Sequence, residues 1–162
     1  MHDAVKPLTA TYAAEPDAVP RARRTVRTFA AELGASAEQV DAIRLAVSEA
    51  VTNVVRHAYR DQPGQIYLTA ALVSDELWIL VADDGCGLEP RTDRPGLGLG
   101  LALISQVSDH LAIVGRACGG TEVRMRFDLD HERRDDRRAS PAMRSRATGP
   151  HNRTPNRRQT PA

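Results

Sequence analysis

The stretch that most constrains the fold lies at residues 43–59, where IRLAVSEAVTNVVRHAY reads as an amphipathic helix. At about 100° per residue its apolar side chains form one stripe, made of Val47, Val51, Val54, Val55 and Ala58. Glu49, Asn53 and Arg56 fall on the opposite side, spaced i, i+4 and i+7, so they share a second face. One face of this helix is therefore expected to pack on a sheet, while the other presents a carboxylate, an amide and a guanidinium.

This polar row has two interpretations. A carboxylate can accept a proton, an amide oxygen can bind a hard cation such as Mg²⁺, and a guanidinium can hold a phosphate. Equally, three polar residues can be the solvated face of a surface helix. The stretch by itself favours the second interpretation, so the decision depends on the residues that follow it.

Length and composition limit the class of protein. The chain has 162 residues, enough for one domain with a core, and aromatic residues make up only 4%, so that core must be mostly aliphatic. A net charge of +1 argues against direct nucleic-acid binding as a general role. The N-terminal residues have no apolar segment of signal-peptide length, and no run is long enough to span a membrane. We therefore expect a cytoplasmic protein with reduced cysteines and no membrane contact.

The pattern of the whole chain predicts alternating helices and strands. Helices are predicted over 19–33, 36–59 and 101–107, and strands over 8–14, 65–73, 77–82, 111–114 and 121–129. QIYLTAALV and LWILVA are separated by only three residues, which predicts an antiparallel hairpin. Trp78, in the second of these strands, is expected to lie in the core or on the sheet face.

The composition changes after residue 130. Residues 131–162 are rich in Arg, Pro, Ser and Thr and contain few apolar side chains, so they cannot bury enough surface to offset chain entropy. We predict a folded domain over 1–130 followed by a disordered tail over 131–162. A solvated tail is favoured over a nucleic-acid-binding one.

Two glycine-rich segments follow the predicted hairpin. DDGCG directly follows an apolar strand, and GLGLGL runs into a helix. Glycine lets backbone N–H groups approach an anion, and the start of a helix adds its positive end. Asp83 ends a buried strand, so its carboxylate needs a donor, either the exocyclic amine of a base or an N–H of the turn. Thr121, after two further glycines, either starts a strand or belongs to the same polar cluster.

Taken in order, these segments resemble the GHKL ATPase superfamily. An E-x-x-x-N helix precedes D-x-G-x-G, then G-x-G-x-G entering a helix, then G-G-T. Within that superfamily the single-domain length and four segments are most similar to the anti-sigma-factor serine kinases of bacteria: EAVTNVVRHAY, VADDGCGL, GLGLGLALI and GGTEVRMRF. The resemblance covers roughly residues 8–130.

The resemblance implies a role for each matching residue. Glu49 would be the general base, and Asn53 would hold Mg²⁺ between the phosphates of ATP. Arg56 would contact phosphate, while Asp83 would bond the adenine amino group near Thr121. The glycines of the two segments would shape the base pocket and cradle the phosphates: Gly85, Gly87, Gly96, Gly98 and Gly100. The loop between the segments would be the ATP lid.

The resemblance also implies a fold and an activity. The fold is a two-layer α/β sandwich (the Bergerat fold), with a mixed, mostly antiparallel sheet and helices on one face. The activity is transfer of phosphate from ATP, with Mg²⁺, to a serine or threonine of a STAS-type anti-anti-sigma protein, combined with sequestration of a sigma factor. Members of the family often act as homodimers. A non-catalytic ATP-binding module that sequesters its partner is the alternative, because a pocket for ATP does not establish turnover.

Overall fold

The computed structural model describes residues 6–60, 62–87, 97–117 and 119–129. Within these ranges the elements follow one another as β1 (Leu8–Ala13), α1 (Ala18–Glu32), α2 (Ala37–His57), β2 (Gln65–Val73), β3 (Glu76–Asp83), α3 (Leu97–Val107), β4 (His110–Gly115) and β5 (Thr121–Asp128). Outside these described ranges lie the predicted lid, Gly96, Cys118 and the predicted tail over 131–162. None of the helices in the described ranges is long and apolar enough to cross a membrane.

The five strands form one sheet in the order β1-β2-β3-β5-β4. All four pairings are antiparallel, including the predicted β2–β3 hairpin, in which Leu72 lies opposite Leu77. The expectation of a mostly antiparallel sheet is confirmed, and the parallel pairing that a mixed sheet would contain is not found among the described strands. Because β5 lies between β3 and β4, the end of β3 meets the start of β5, with Ala82 opposite Glu122.

The helices and one face of the sheet enclose the core, so the fold is the predicted two-layer α/β sandwich. From the sheet, Ile66, Ile79 and Met125 point into this core and are fully buried. From α2, the apolar stripe supplies Val47 and Val51, also fully buried. Alternate strand residues lie on the opposite face, which we call the outer face. Trp78 is one of them: its ring is 6.4 Å from that of His110, and its Nε1 donates to Glu76, so its predicted place on the sheet is confirmed.

The start of α2 is fixed by a capping box. The backbone N–H of Gln39 donates to the hydroxyl of Ser36 (3.2 Å), and the backbone N–H of Ser36 donates to the Gln39 side chain (2.9 Å). Two N–H groups that the helix itself leaves unpaired thus receive partners. The same Gln39 side chain donates to the carbonyl of Asp128 at 2.8 Å, which ties the start of α2 to the end of β5.

Helix α3 begins four residues earlier than the sequence predicts, at Leu97 rather than Leu101. Gly98 and Gly100 therefore lie in its first turn, although glycine costs about 1 kcal/mol relative to alanine inside a helix. Packing of α3 on α2, with Ile104 fully buried, accounts for the difference. The prediction of a glycine loop before the helix is corrected to a glycine-bearing first turn.

Candidate active site

Two residues of the polar row of α2, Glu49 and Asn53, meet the first turn of α3. A methyl group at position 100 would lie 2.8 Å from Oε2 of Glu49 and 3.5 Å from Oδ1 of Asn53. Gly100 is itself buried, so both side chains come within contact distance of the α3 backbone there. The structure thus brings together three residues that the sequence places in the site, and a side chain at position 100 would displace the Glu49 carboxylate.

Asn53 contributes an unsatisfied polar group. Its Nδ2 is buried and has no hydrogen-bond partner, a situation that costs roughly 1–3 kcal/mol in a folded protein. A phosphate oxygen would accept this hydrogen bond, while the amide oxygen can ligate a cation. Within the described ranges His, Cys, Asp and Glu form no cluster of three or more that could hold a metal. Mg²⁺ commonly takes only one or two protein ligands beside substrate phosphates, so Asn53 fits Mg-ATP.

The first turn of α3 adds backbone donors. The first four N–H groups of a helix have no intrahelical partner, and this region of α3 includes Gly98 and Gly100. A methyl group at position 98 would meet nothing within 4 Å, so this side of the turn is open to a ligand. Arg56, further along α2, is exposed. The Asn53 amide and the helix N–H groups can donate to an anion, and the Glu49 carboxylate lies beside them.

Asp83 forms a second polar centre at the end of β3. It is only 4% exposed, and its Oδ1 accepts a hydrogen bond from the backbone N–H of Gly85 at 2.8 Å. Burial raises the pKa of Asp83 above its ordinary value of 3.8, while hydrogen bonds from the backbone N–H groups of Gly85 and Thr121 and the charge of Arg116 act in the opposite direction. The turn N–H anticipated from the sequence is therefore present. Each carboxylate oxygen has more than one acceptor site, so Asp83 can also receive a ligand donor.

The turn after Asp83 rests on the end of α2. The backbone N–H of Cys86 donates to the carbonyl of Ala58 at 2.9 Å. Ala58 lies five residues beyond Asn53 and nine beyond Glu49, about 8 Å and 14 Å along the helix axis. The two polar centres thus lie along one helix, with Asp83 at its C-terminal end, as an extended nucleotide would require.

Thr121 and Gly87 also reach this centre. Thr121 contributes its backbone N–H to the Asp83 carboxylate. Gly87 has φ +71° and lies beside the backbone of Gly120, so the D-x-G-x-G segment meets the G-G-T segment directly. Of the glycines predicted in the site, only Gly96 lies outside the described ranges.

Sequence reasoning missed three residues around Asp83. Arg116 donates through Nη1 to the Asp83 carbonyl at 2.8 Å and pairs with the Asp84 carboxylate. The hydroxyl of Tyr59 accepts from the backbone N–H of Asp84 at 2.9 Å. The available signal was Arg116 itself, a charged residue just before Gly119 and Gly120. Interpreting that signal required the strand order, in which β5 lies beside β3.

Comparison with known proteins shows the family of the chain. Residues 12–127 match the family model of the histidine kinase-like ATPase domain. The chain is 34% identical to a protein of Clostridium acetobutylicum named anti-sigma F factor, over 65% of this chain and 81% of that protein. It is 32% identical to a protein of Bacillus licheniformis named serine-protein kinase RsbW, over 76% and 86% of the two chains.

A solved structure shares the fold. The structure of the RsbU and RsbW domains of a Mycobacterium tuberculosis protein matches with a TM-score of 0.62 and 29% identity, over 77% of this chain and 33% of that longer one. The family match includes Glu49, Asn53, Asp83 and Thr121, which carry the two polar centres described above. The chain belongs to the family of histidine kinase-like ATPase domains.

Proposed function

We propose that this chain is a cytoplasmic, ATP-dependent protein serine/threonine kinase that also acts as an anti-sigma factor. Its protein substrate would be a STAS-type anti-anti-sigma protein, and its second partner a sigma factor. The domain over 1–130 would carry both activities, as a homodimer in line with the family. Relatives named anti-sigma F factor and serine-protein kinase RsbW support this choice of partners and chemistry.

The observation that carries the proposal is the meeting of Glu49, Asn53 and Gly100. A solvated helix face would not need a buried amide, nor a glycine packed against a carboxylate. An ATP site explains both, because the triphosphate would lie where the amide lacks a partner and where the α3 backbone comes closest.

The residues suit in-line phosphoryl transfer. Glu49 would accept the proton of the serine hydroxyl as the serine oxygen forms its bond to the γ-phosphorus, and the bridging oxygen would leave with ADP. Asn53 would hold Mg²⁺ against the phosphates, and the N–H groups of the first turn of α3 would stabilise their charge. Asp83 would accept a hydrogen bond from the adenine amino group. Mg²⁺, when bound, neutralises the charge that develops on the phosphate oxygens.

The test is transfer of label from γ-labelled ATP to the STAS-type proteins of the native cell, measured in single turnover. Glu49→Gln keeps the size of the side chain and removes the base, so we expect the rate to fall about 10²- to 10⁴-fold. Glu122→Gln is the matched control, because Glu122 pairs with Arg124 on the outer face. A pull-down with sigma factors of the native cell tests the second activity.

The outcomes separate the two candidate functions. Loss of transfer in Glu49→Gln with wild-type rates in Glu122→Gln supports the kinase. Tight Mg-ATP binding with no labelled product from any STAS-type protein of the native cell would contradict the kinase and favour a non-catalytic binding module. Transfer at the wild-type rate by Glu49→Gln would remove Glu49 from the role of base.

A further inference from the structure

Three side chains contact one another beside the end of β3, and we call them the outer-face clamp: Tyr67, Asp84 and Arg116. Arg116 pairs with the Asp84 carboxylate, and its guanidinium carbon lies 5.7 Å from the centre of the Tyr67 ring. The Tyr67 hydroxyl donates to the same carboxylate, which raises the pKa of Tyr67. Asp84 therefore receives a cationic donor and a phenol donor, and Arg116 has both a counter-ion and an aromatic surface. These contacts favour the position of the guanidinium beside the end of β3.

The clamp holds the main chain of Asp83. Nη1 of Arg116 donates to the Asp83 carbonyl at 2.8 Å. A methyl group at Gly120, where φ is +86°, would overlap that same carbonyl, so the peptide is confined between the guanidinium and the turn before β5. On the other side, the backbone N–H of Asp84 donates to the Tyr59 hydroxyl, which in turn donates to the Gln65 carbonyl at 2.5 Å.

Arg116 is itself anchored by its turn. Its backbone N–H donates to the Gly120 carbonyl at 3.2 Å, and its carbonyl accepts from the backbone N–H of Gly119 at 3.1 Å. The guanidinium thus extends from a closed turn to the peptide that follows β3. The side chain of Asp83 points into the core side of the sheet, while its carbonyl and the Asp84 carboxylate both contact Arg116.

We propose that Arg116 is a positioning residue that sets nucleobase specificity, by fixing the peptide of Asp83 so that its buried carboxylate meets the exocyclic amine of adenine. This inference rests on the proposed function. Guanine carries an oxygen where adenine carries that amine, and a carboxylate repels it. A fixed Asp83 therefore favours binding of ATP over GTP. An unfixed Asp83 loses its hydrogen bond to adenine and part of its repulsion of guanine. Both nucleotides keep their phosphate contacts.

The experiment is calorimetric titration of the full chain with Mg-ATP and with Mg-GTP. For Arg116→Ala we expect Mg-ATP to bind about tenfold more weakly, because the unfixed Asp83 carboxylate loses its charge-assisted hydrogen bond to the adenine amine. Mg-GTP should bind within about twofold of its wild-type affinity, so the ratio of the two affinities falls. Arg124→Ala is the control, since Arg124 also forms an ion pair on the outer face, with Glu122. It should leave the ratio unchanged.

Equal losses of affinity for ATP and GTP would indicate a merely structural role and overturn the inference. Wild-type affinity for both nucleotides would overturn it as well. Should Arg116→Ala fail to fold, Arg116→Lys decides. Lysine keeps the charge but cannot reach both acceptors with the geometry of a guanidinium. A ratio lowered at least threefold in Arg116→Lys supports the inference, and a wild-type ratio contradicts it. A wild-type chain that binds neither nucleotide would instead overturn the proposed function together with the inference.

Discussion

At Gly100 the missing side chain decides how close α3 comes to Glu49. We expect Gly100→Ala to fold with unchanged or slightly higher stability, because alanine favours the helix by about 1 kcal/mol and the clashing atom is the mobile end of Glu49. The displaced carboxylate should nevertheless lower phosphoryl transfer about 100-fold, the effect of a misplacement of about 1 Å. Urea denaturation and single-turnover transfer measure the two effects separately.

Gly98→Ala provides the comparison for stability. A methyl group there meets nothing within 4 Å, so this variant gains the same helix propensity without moving Glu49. If Gly100→Ala transferred phosphate at the wild-type rate, the close approach of α3 to Glu49 would not contribute to catalysis.

The buried carboxylate of Asp83 predicts a pH dependence. Burial raises the pKa of Asp83 in the folded chain above its ordinary value of 3.8. The folded state therefore takes up a proton before the unfolded state does, and stability rises as the pH falls through the raised pKa. Asp83→Asn lacks this charge, so we expect it to be more stable than wild type near neutral pH. Its advantage should shrink toward pH 3.8 and level off below.

The measurement is the difference in unfolding free energy between wild type and Asp83→Asn from pH 7 to pH 3, which cancels the titration of the other carboxylates. An advantage that grows on acidification would contradict the assignment of a raised pKa. Asp83→Asn should also lose affinity for Mg-ATP at neutral pH, since an amide presents only one acceptor oxygen where the carboxylate presents two.

Among single residues, those of the α2 row could be predicted and those of the clamp could not. Glu49 and Asn53 share a face because helical spacing alone puts them there. Asp83 was signalled by its position between an apolar strand and two glycines. Tyr67 lies on β2 and Arg116 in the turn after β4, so spacing along the chain gave no indication that they meet.

Helix α2 is the element that joins core and site, so its N-terminal cap should matter for stability without touching the chemistry. We expect Ser36→Ala to lower the free energy of unfolding by about 1 kcal/mol, because the capping box loses its hydroxyl acceptor. Nucleotide affinity should remain at the wild-type value. Urea denaturation measures the first effect and calorimetry the second.

Ser105→Ala is the control for the cap. Its hydroxyl donates to the Ala102 carbonyl within α3 at 2.8 Å and is exposed, so no loss of stability is expected. Equal destabilisation by both substitutions would show that the capping box contributes nothing of its own.

At the level of elements, the sequence predicted which segments form helices and strands but misplaced the start of α3. The pattern of 97–100 alternates leucine and glycine, which argues locally for a loop. The structure extends the helix through it because Ile104 is buried in the core, Leu101 and Val107 pack against the core, and α3 is thereby held against α2. Packing between helices outweighed local propensity.

For the whole molecule, binding of nucleotide should be visible as stability. A ligand at about 100 times its Kd adds about 2.7 kcal/mol to the free energy of unfolding. We expect Mg-ATP to do this, and ATP with excess EDTA to do so to a smaller extent, because Asn53 would then lack its cation. Identical stabilisation in both conditions would argue against a magnesium-dependent site.

The architecture of the sandwich followed from the pattern of elements together with the family resemblance, but the strand order did not follow from the pattern alone. Insertion of β5 between β3 and β4 joins the end of β3 to the start of β5, and thereby Asp83 to Thr121. Periodicity shows which residues are strands and which face is buried. It does not show which strands are neighbours, and the polar centre around Asp83 depends on that.

Calorimetric titration of Mg-ATP into wild type and Asn53→Ala is the sharpest test of the claim that Asn53 faces a bound Mg-triphosphate. The wild type should give saturable heat. Asn53→Ala should bind at least tenfold more weakly, a loss of about 1.4 kcal/mol, while unfolding with a free energy no lower than wild type, because it removes a buried amide nitrogen without a partner. Wild-type affinity in Asn53→Ala, or no heat from the wild type, would contradict the claim.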